Sequence, residues 1–414
     1  KRAGVFGRFL LLPAVLAGNP RRGRKPPAQG VGVPHHVPQV EDLIRLKYIL
    51  DVKDFPDSPF RNLITHDFQV ILNDPEVSVV AEMMGGAHPA YDFTKALLEA
   101  GKSVVTSNKP MVATFGTELL ALARTHGVSY LFEASVGGGI PVIRPLREDL
   151  AQNHIRSISG ILNGTTNYIL TEMETKGTPF ADVLRDAQEK GYAEKDPTAD
   201  IEGPDAARKT VILAAMAFGK RIDPDSIHCE GITRVTADDA ALARAMGGAV
   251  KLIGYASRDA QTGKILAMVS PRFVPGGSPL AGVSGVFNGI LVSADMVGEV
   301  MFYGPGAGKL PTASAVVSDI MEATHADPAA APVWQDASAD DVTEFAASVC
   351  RNLLVFDAPA EAADSLAAHF GGAEAVRHQP GRLSFVTPAL SEQEITARIA
   401  TAGFPAVSRL RVLD

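Results

Sequence analysis

Residues 77–106 are VSVVAEMMGGAHPAYDFTKALLEAGKSVVT. The spacing of the hydrophobic residues changes twice within this segment. The apolar runs at 77–83 and 103–106 are typical of buried strands, whereas AYDFTKALLEA at 90–100 has the spacing of an amphipathic helix. Gly101 follows that helix, as is common at helix ends. A strand, a helix and a second strand joined by short loops predict a parallel βαβ unit, the repeating element of nucleotide-binding sheets.

The same alternation continues on both sides of this unit. We predict strands over 47–52 and 128–132 and a helix over 112–125. Residues 41–135 are therefore predicted to form a Rossmann-type dinucleotide-binding domain of the α/β class, with an incomplete Gly-rich loop. Longer helices and separate strand-like runs then predict a mixed α/β domain over 136–325, which would supply substrate contacts and a dimer interface.

The two ends of the chain differ in composition from these domains. Residues 1–40 contain seven Lys/Arg and six Pro but no Asp or Glu, so we predict an atypical, disordered head. Within it we expect a first strand and helix start over 3–16 and loop or disorder over 19–39, although a short secretory signal or an organellar transit peptide has similar features. Residues 326–340 are Ala/Pro-rich and predict a linker. Residues 341–414 predict a small C-terminal module with the ferredoxin-like order βαββαβ.

Composition narrows the classes of function. The chain has 414 residues, 46% of them hydrophobic and 21% charged, which is typical of a globular protein. With 39 Lys/Arg against 47 Asp/Glu the net charge is −8, which disfavours nucleic acid as a partner. No apolar run is long enough to predict a membrane helix. Two distant cysteines, Cys229 and Cys350, indicate a reducing compartment, and we expect a cytoplasmic protein.

The densest group of ionisable residues is GYAEKDPTADIEGPDAARK at 191–209. Asp205 and Lys209 are four residues apart on a predicted helix and so project from one face. A lysine held beside carboxylates can donate a proton, and the preceding Glu194 and Asp200 suit a substrate with an amino group. Taken alone, the pattern fits a solvated ion pair better.

Three further segments allow two interpretations each. Lys109, in TSNKP, follows a predicted strand at the ligand-binding edge of the sheet, or is a solvated loop lysine. NGTTN at 163–167 could position a polar ligand, but a turn with a helix cap explains it more simply. Glu133 with the glycines of EASVGGGI could bind a hard cation or form a hinge. The histidines have no ligand spacing, so a zinc site is not supported.

Taken together, these segments resemble the homoserine dehydrogenase family. The resemblance rests on long motifs in the family's order, namely TSNKP, FEASVGGGIP at 132–141, GILNGTTNYIL at 160–170, the 191–209 segment and GPGAGKLPTASAVVSDI at 304–320. It implies a Rossmann-type domain followed by a catalytic and dimerisation domain. It also implies reversible NAD(P)-dependent interconversion of L-homoserine and L-aspartate 4-semialdehyde in threonine, methionine and isoleucine synthesis.

The resemblance implies a role for individual positions. Lys209 matches the proton donor to the aldehyde oxygen, and Lys109 matches a second lysine near the nicotinamide and the substrate. Glu194 and Asp205 would hold the amino and hydroxyl ends of the substrate, with Asp200 in the same pocket. The implied cofactor contacts, besides Lys109, are Gly4, Gly7, Gly85, Gly191 and Gly306. The implied sodium site consists of Glu133 and the carbonyls of Val136, Gly138 and Ile140.

One departure from the family keeps alternatives open. Where the family has a GxGxxG-type loop, this chain reads GVFGRFLLLPAVLAG and retains only Gly4 and Gly7. A catalytically impaired binding or regulatory protein is therefore the main alternative. A Rossmann oxidoreductase for a different semialdehyde is a further one, disfavoured by the matched substrate segment. Asp51 favours NAD and Lys53 favours NADP, so cofactor preference stays open.

The resemblance also implies partners. They are a small-molecule substrate, NADP or NAD, a structural sodium ion and further copies of the chain in a homodimer or homotetramer. The C-terminal module resembles ACT-like regulatory modules by pattern only, and threonine is its implied effector.

Overall fold

The chain divides into two compact units, each with its own sheet. A computed structural model describes residues 12–15, 44–325, 327–379 and 381–414. The first unit comprises residues up to 135 together with 312–333, and the second comprises 136–311 together with 334–414. Most of the predicted head, including Gly4 and Gly7, lies outside the described residues.

The first unit contains a sheet whose central strands are parallel. Its elements before residue 136 are, in chain order, β1 (Leu12–Val15), β2 (Arg45–Leu46), β3 (Ile49–Leu50), β4 (Ile64–Thr65), α1 (Phe68–Leu72), β5 (Val79–Glu82), α2 (Ala90–Glu99), β6 (Ser103–Thr106), α3 (Lys109–Thr125) and β7 (Tyr130–Leu131). The strand order is β2-β1-β5-β6-β7, and β5, β6 and β7 run parallel. The βαβ unit predicted at 77–106 is confirmed.

Both faces of β5 and β6 are covered, as expected for a parallel sheet. Every residue of these two strands is buried, which explains why the runs 79–81 and 104–105 are continuously apolar rather than alternating. Val79 and Val105 pack with Val316 and Ile320 from the 312–333 part of the unit. On α2, the side chains of Leu97 and Leu98 are fully buried.

The side of this sheet formed by β1 and β2 differs from the parallel arrangement expected of a Rossmann-type sheet. Strand β1 is antiparallel to β5, where it supplies backbone partners to an edge that would otherwise be open. The strand predicted over 47–52 is shorter, because β3 ends at Leu50. The Asp51 carboxylate accepts a hydrogen bond of 2.9 Å from the Lys53 N–H, which turns the chain out of the strand.

The second unit is larger and is built on a mixed sheet. Its elements are α4 (Ile143–Arg147), β8 (Ile155–Ile161), α5 (Gly164–Lys176), α6 (Phe180–Glu189), α7 (Thr198–Ile201), α8 (Pro204–Phe218), β9 (Lys220–Arg221), β10 (His228–Cys229), α9 (Ala237–Ala245), β11 (Gly248–Arg258), β12 (Ile265–Pro275), β13 (Phe287–Ala294), β14 (Glu299–Pro305), the start of α10 (Lys309–Ala323), β15 (Gln335–Asp336), β16 (Val349–Cys350), β17 (Asn352–Asp357), α11 (Ala363–His369), β18 (Glu374–Gln379), β19 (Arg382–Val386), β20 (Leu390–Ser391), α12 (Glu392–Ala400) and β21 (Ala406–Val412). Across the described ranges, no helix has both the length and the apolar character that a membrane span requires.

The principal sheet follows the order β14-β13-β8-β11-β12-β21-β17-β19-β18. Helices α5 and α8 pack against β11. Strand β8 is absent from the sequence-based prediction because its isoleucines, Ile155, Ile158 and Ile161, recur every three residues and imitate a helical pattern. This strand positions the start of α5, which begins three residues after β8 ends.

The C-terminal residues continue this sheet. Strand β21 pairs with β12 in parallel, with Arg272 opposite Arg411, so residues 341–414 belong to the same compact unit as 136–311. Strand β12 is long enough for β10 and β21 to share the edge that β11 leaves open. The segment predicted as a linker is also partly anchored, because Trp334 is buried and β15 pairs with β9.

A buried charge cluster lies where β21 meets the rest of the unit. The Arg411 guanidinium donates to both carboxylate oxygens of Glu392, at 2.7 and 3.1 Å, and to Glu230 at 2.7 Å. Burial alone would raise the pKa of the Glu230 carboxyl, but contacts with His228 and Arg411 lower it to about 2. The Glu230 charge therefore stabilises the folded state.

We predict that Glu230→Gln lowers the free energy of unfolding by about 1–3 kcal/mol at pH 7, a range that allows for partial solvent screening. Because the folded-state pKa lies below the usual value, the wild-type advantage is complete above pH 5 and is lost as the pH falls toward about 2. Urea unfolding of both proteins between pH 7 and pH 3.5 measures this difference. The control is Glu99→Gln at an exposed helix end, and a pH-independent difference for Glu230→Gln would contradict the prediction.

Candidate active site

In the second unit, Lys209 and Asp205 form a nearly buried ion pair. Both lie on α8, which begins at Pro204 after Gly203, a residue with a positive φ of 95°. Their side chains are only 10% and 11% exposed, and the ammonium nitrogen lies 2.8 Å from Asp205 Oδ2. The Lys209 ammonium also donates to the Leu162 carbonyl at 2.6 Å. The interpretation as a solvated surface pair is therefore wrong.

Asn163 joins this pair to a second carboxylate. Its Nδ2 donates to Asp200 Oδ1 at 2.7 Å and to Asp205 Oδ2 at 3.1 Å. Its Oδ1 accepts the Thr166 N–H at 2.9 Å and so caps α5. The simpler interpretation of the NGTTN segment, a turn with a cap, is correct but incomplete. Sequence reasoning missed that the same amide also binds two carboxylates.

Glu194 differs from the Lys209 group because it is exposed to solvent. It is exposed on the segment between α6 and α7, where its carbonyl accepts a hydrogen bond of 3.1 Å from Gln188 Nε2. Gly191 lies at the start of the same segment, and its φ of 76° is in the left-handed region that favours glycine. The structure thus unites Lys209 with two of the three predicted substrate-binding carboxylates and leaves the third one exposed.

Two glycine-rich loops of the second unit approach each other closely. A Cβ atom on Gly138 would lie 2.6 Å from the Gly306 carbonyl oxygen, so both the space and a φ of 59° require glycine there. A Cβ on Gly306 would lie 2.0 Å from the buried Asn288 amide. Steric packing therefore accounts for Gly306 by itself, independently of any cofactor.

The residues predicted to bind sodium are divided between the two units. Glu133 belongs to the first unit, where its N–H donates to Asp319 at 2.8 Å. Val136, Gly138 and Ile140 belong to the second, on a turn closed by the Ile140 N–H and the Gly137 carbonyl at 2.9 Å. Among the residues that the structure describes, no group of three or more His, Cys, Asp or Glu could hold a metal ion.

Lys109 and Gly85 occupy the carboxyl edge of the first unit's sheet. Lys109 is the first residue of α3, directly after β6, and is half-buried. Gly85 is exposed in the loop after β5. Since β5 and β6 are neighbouring parallel strands, both residues lie at the edge where open α/β sheets bind ligands.

The parallel strands and this edge define the first unit as a Rossmann-type nucleotide-binding domain. A family model described as "Homoserine dehydrogenase, NAD binding domain" matches residues 36–133. A second model, "Homoserine dehydrogenase", matches residues 141–321. The two matches together include the predicted nucleotide edge and the Lys209 site.

Individual proteins agree with these models. The homoserine dehydrogenases of Synechocystis and Bacillus subtilis are 47% and 44% identical over 63% and 66% of this chain. The aligned region spans about three fifths of those relatives, 60% and 62%. A crystal structure of a homoserine dehydrogenase from Thiobacillus denitrificans is 36% identical over 85% of each chain, with a TM-score of 0.78. A hyperthermophilic archaeal homoserine dehydrogenase in complex with NADPH is 33% identical over 63% of this chain and 76% of its own, with a TM-score of 0.55.

The chain belongs to the homoserine dehydrogenase family. This confirms the family inferred from the sequence motifs and its nucleotide-binding fold.

We predict that Asn163→Ala lowers the free energy of unfolding by about 2–4 kcal/mol, because it removes a helix cap and two hydrogen bonds to poorly exposed carboxylates. The control is Ser391→Ala, which removes the cap of α12 without unpairing a buried charge and should cost about 1 kcal/mol. Urea denaturation measures both. Equal losses would show that Asn163 acts only as a cap.

Proposed function

We propose that this chain catalyses the reversible NAD(P)-dependent interconversion of L-homoserine and L-aspartate 4-semialdehyde. The observation that carries the proposal is the nearly buried Lys209–Asp205 pair, held beside Asp200 through the Asn163 amide. Two carboxylates beside one ammonium suit a substrate that carries its own α-ammonium group and an oxygen that gains charge.

Reduction of an aldehyde leaves negative charge on its oxygen, which must then be protonated. In this proposal the Lys209 ammonium supplies both the nearby positive charge and the proton. Asp205, 2.8 Å away, favours the charged form of that amine. Lys109 is the second lysine in the proposal, near the nicotinamide.

The substrate's ammonium and hydroxyl ends are assigned to carboxylates of the 191–209 segment. Asp205 and Asp200 already share the Asn163 amide, so their oxygens are held in position before a ligand arrives. The exposed carboxylate of Glu194 completes the set, and its segment is tied to α6 by Gln188.

NAD(P)H, when bound, supplies the hydride. The residues assigned to hold it are Gly85 and Lys109 at the carboxyl edge of the first sheet, and Gly191 and Gly306 in loops of the second unit. The exposed Gly85 loop allows close approach to the backbone, which fits a dinucleotide. The charges of Asp51 and Lys53 favour opposite cofactors, so the proposal covers both NAD and NADP.

A structural sodium ion is part of the proposal. Its ligands would be Glu133 and the carbonyls of Val136, Gly138 and Ile140, a donor set of oxygens that suits a hard cation. The positive φ values of 73° and 59° at 137 and 138 turn the chain sharply within that segment. We further propose a cytoplasmic homodimer or homotetramer acting in threonine, methionine and isoleucine synthesis.

The C-terminal residues are proposed to form an ACT-like regulatory module for threonine. The support is their element order, β17-α11-β18-β19-α12-β21 with the two-residue strand β20 before α12, and the lateral order β21-β17-β19-β18. That lateral order, fourth, first, third and second, is the ferredoxin-like arrangement. A core that includes Phe356, Phe370 and Phe385 fills the space beneath these strands.

We predict that Lys209→Ala lowers kcat for reduction of L-aspartate 4-semialdehyde by about 100-fold or more, because the general acid that protonates the aldehyde oxygen is lost, while the Kd for NAD(P)H changes less than threefold. Steady-state assays and fluorescence titration separate the two effects. The control is Lys176→Ala, which removes an exposed helical lysine paired with Glu172. Near-normal turnover in Lys209→Ala would remove this residue from the mechanism. A wild-type chain that binds homoserine without turnover would favour the impaired-protein alternative.

We predict that millimolar threonine lowers the rate of homoserine oxidation by the wild-type enzyme. Binding that shifts a conformational equilibrium must change the affinity or turnover at the coupled site. The assay compares threonine with serine and valine at equal concentration. An unchanged rate with threonine in an active enzyme would contradict the proposed effector.

A further inference from the structure

A buried carboxylate ends strand β5 at the ligand-binding edge of the first sheet. Glu82 is fully buried, yet among the described residues no lysine or arginine is its hydrogen-bond partner. Its Oε1 accepts the Met84 N–H at 2.6 Å, and its Oε2 accepts the Thr106 hydroxyl at 2.6 Å. Burial raises the pKa of the Glu82 carboxyl, although these hydrogen bonds oppose the shift.

Asn108 extends this group from β6 to the loop after β5. Its N–H donates to the Thr106 hydroxyl oxygen at 2.8 Å. Its Nδ2 donates to the carbonyls of Met84 at 3.0 Å and Gly86 at 2.7 Å. Its Oδ1 accepts the Met111 N–H at 3.1 Å and thereby caps α3.

The group therefore ties together the two segments that carry the predicted cofactor contacts. The loop at 83–86, which contains Gly85, is held at both Met84 and Gly86. The first turn of α3, which begins with Lys109, is held by its Asn108 cap. Packing alone does not require a carboxylate at a fully buried position, because an apolar side chain avoids the desolvation cost.

We propose that Glu82, Thr106 and Asn108 are positioning residues that hold the 83–86 loop and the first turn of α3 in the shape that receives the dinucleotide. The inference rests on the proposed function for its ligand. A loop ordered before binding loses less conformational entropy on binding, so the group increases affinity without touching the cofactor. Thr106 is its centre, since the hydroxyl donates to Glu82 and accepts from Asn108.

The test uses paired substitutions at Thr106 in the 414-residue chain. Thr106→Val keeps the shape and removes the hydroxyl, whereas Thr106→Ser keeps the hydroxyl. We expect Thr106→Val to raise the Kd for NADH or NADPH about tenfold, as loss of coupled buried hydrogen bonds implies, and Thr106→Ser to stay within threefold of wild type. The matched control is Thr94→Val, since Thr94 is also fully buried in this unit and its hydroxyl has no hydrogen-bond partner among the described residues.

A second variant separates the loop from the helix cap. Asn108→Ser retains a hydroxyl oxygen that can accept the Met111 N–H and cap α3, but it loses the amide donors to Met84 and Gly86 and adds no charge beside Glu82. We expect this variant also to raise the Kd for NAD(P)H about tenfold, with thermal unfolding within a few degrees of wild type. It keeps the test decisive if Thr106→Val does not fold.

The outcomes are distinguishable. A loss of affinity in Thr106→Ser as large as that in Thr106→Val would show that the hydroxyl is not the group that matters, and a loss in Thr106→Ser alone would assign the effect to methyl packing; either result would overturn the inference. A lower unfolding midpoint with an unchanged Kd in the folded protein would show a merely structural role and also overturn it. A wild-type chain that binds NAD(P)H but does not oxidise homoserine would contradict the proposed function alone. A wild-type chain that binds neither NADH nor NADPH would overturn both.

Discussion

An ammonium group removed from water needs acceptors that offset its lost hydration, and for Lys209 these are the Asp205 carboxylate and the Leu162 carbonyl, a requirement that organises the second unit's polar site. Lys209 and Asp205 are neighbours on α8 and nearly buried, so their attraction is screened less than that of a surface pair. The carboxylate needs further donors, which Asn163 provides from the start of α5. Asp200 joins through the other hydrogen of the same amide. One ion pair thereby ties α7, α5 and α8 together.

The same principle acts in the first unit with a different solution. Within the part of the chain that the structure describes, the Glu82 carboxylate accepts hydrogen bonds from a backbone N–H, a hydroxyl and an amide rather than from a cation. These donors come from the loop after β5, the end of β6 and the residues that follow it. The hydrogen bonds that satisfy the Glu82 carboxylate therefore also hold these segments together at the sheet edge. In both units a polar group that is costly to bury gathers the segments around a candidate binding region.

Much of the fold was predictable because its signals are local. The strand at 103–106 has the bounds expected from its hydrophobic run, and the helix predicted to carry Asp205 and Lys209 is present over 204–218. Strand β8 was missed because isoleucines three residues apart suggest a helix, and only pairing with β11 and β13 makes the segment a strand. The i, i+4 spacing of Asp205 and Lys209 could also be predicted from the sequence, but the burial of their side chains could not.

The sequence by itself determined the family, the nucleotide-binding unit and the candidate lysine and carboxylates, since periodicity and motif spacing are properties of nearby residues. The tertiary structure decided which polar groups meet. Asn163 contacts carboxylates 37 and 42 residues away, and Thr106 contacts Glu82 across neighbouring strands. Such contacts depend on strand register and helix packing, and the resulting burial makes these hydrogen bonds costly to lose.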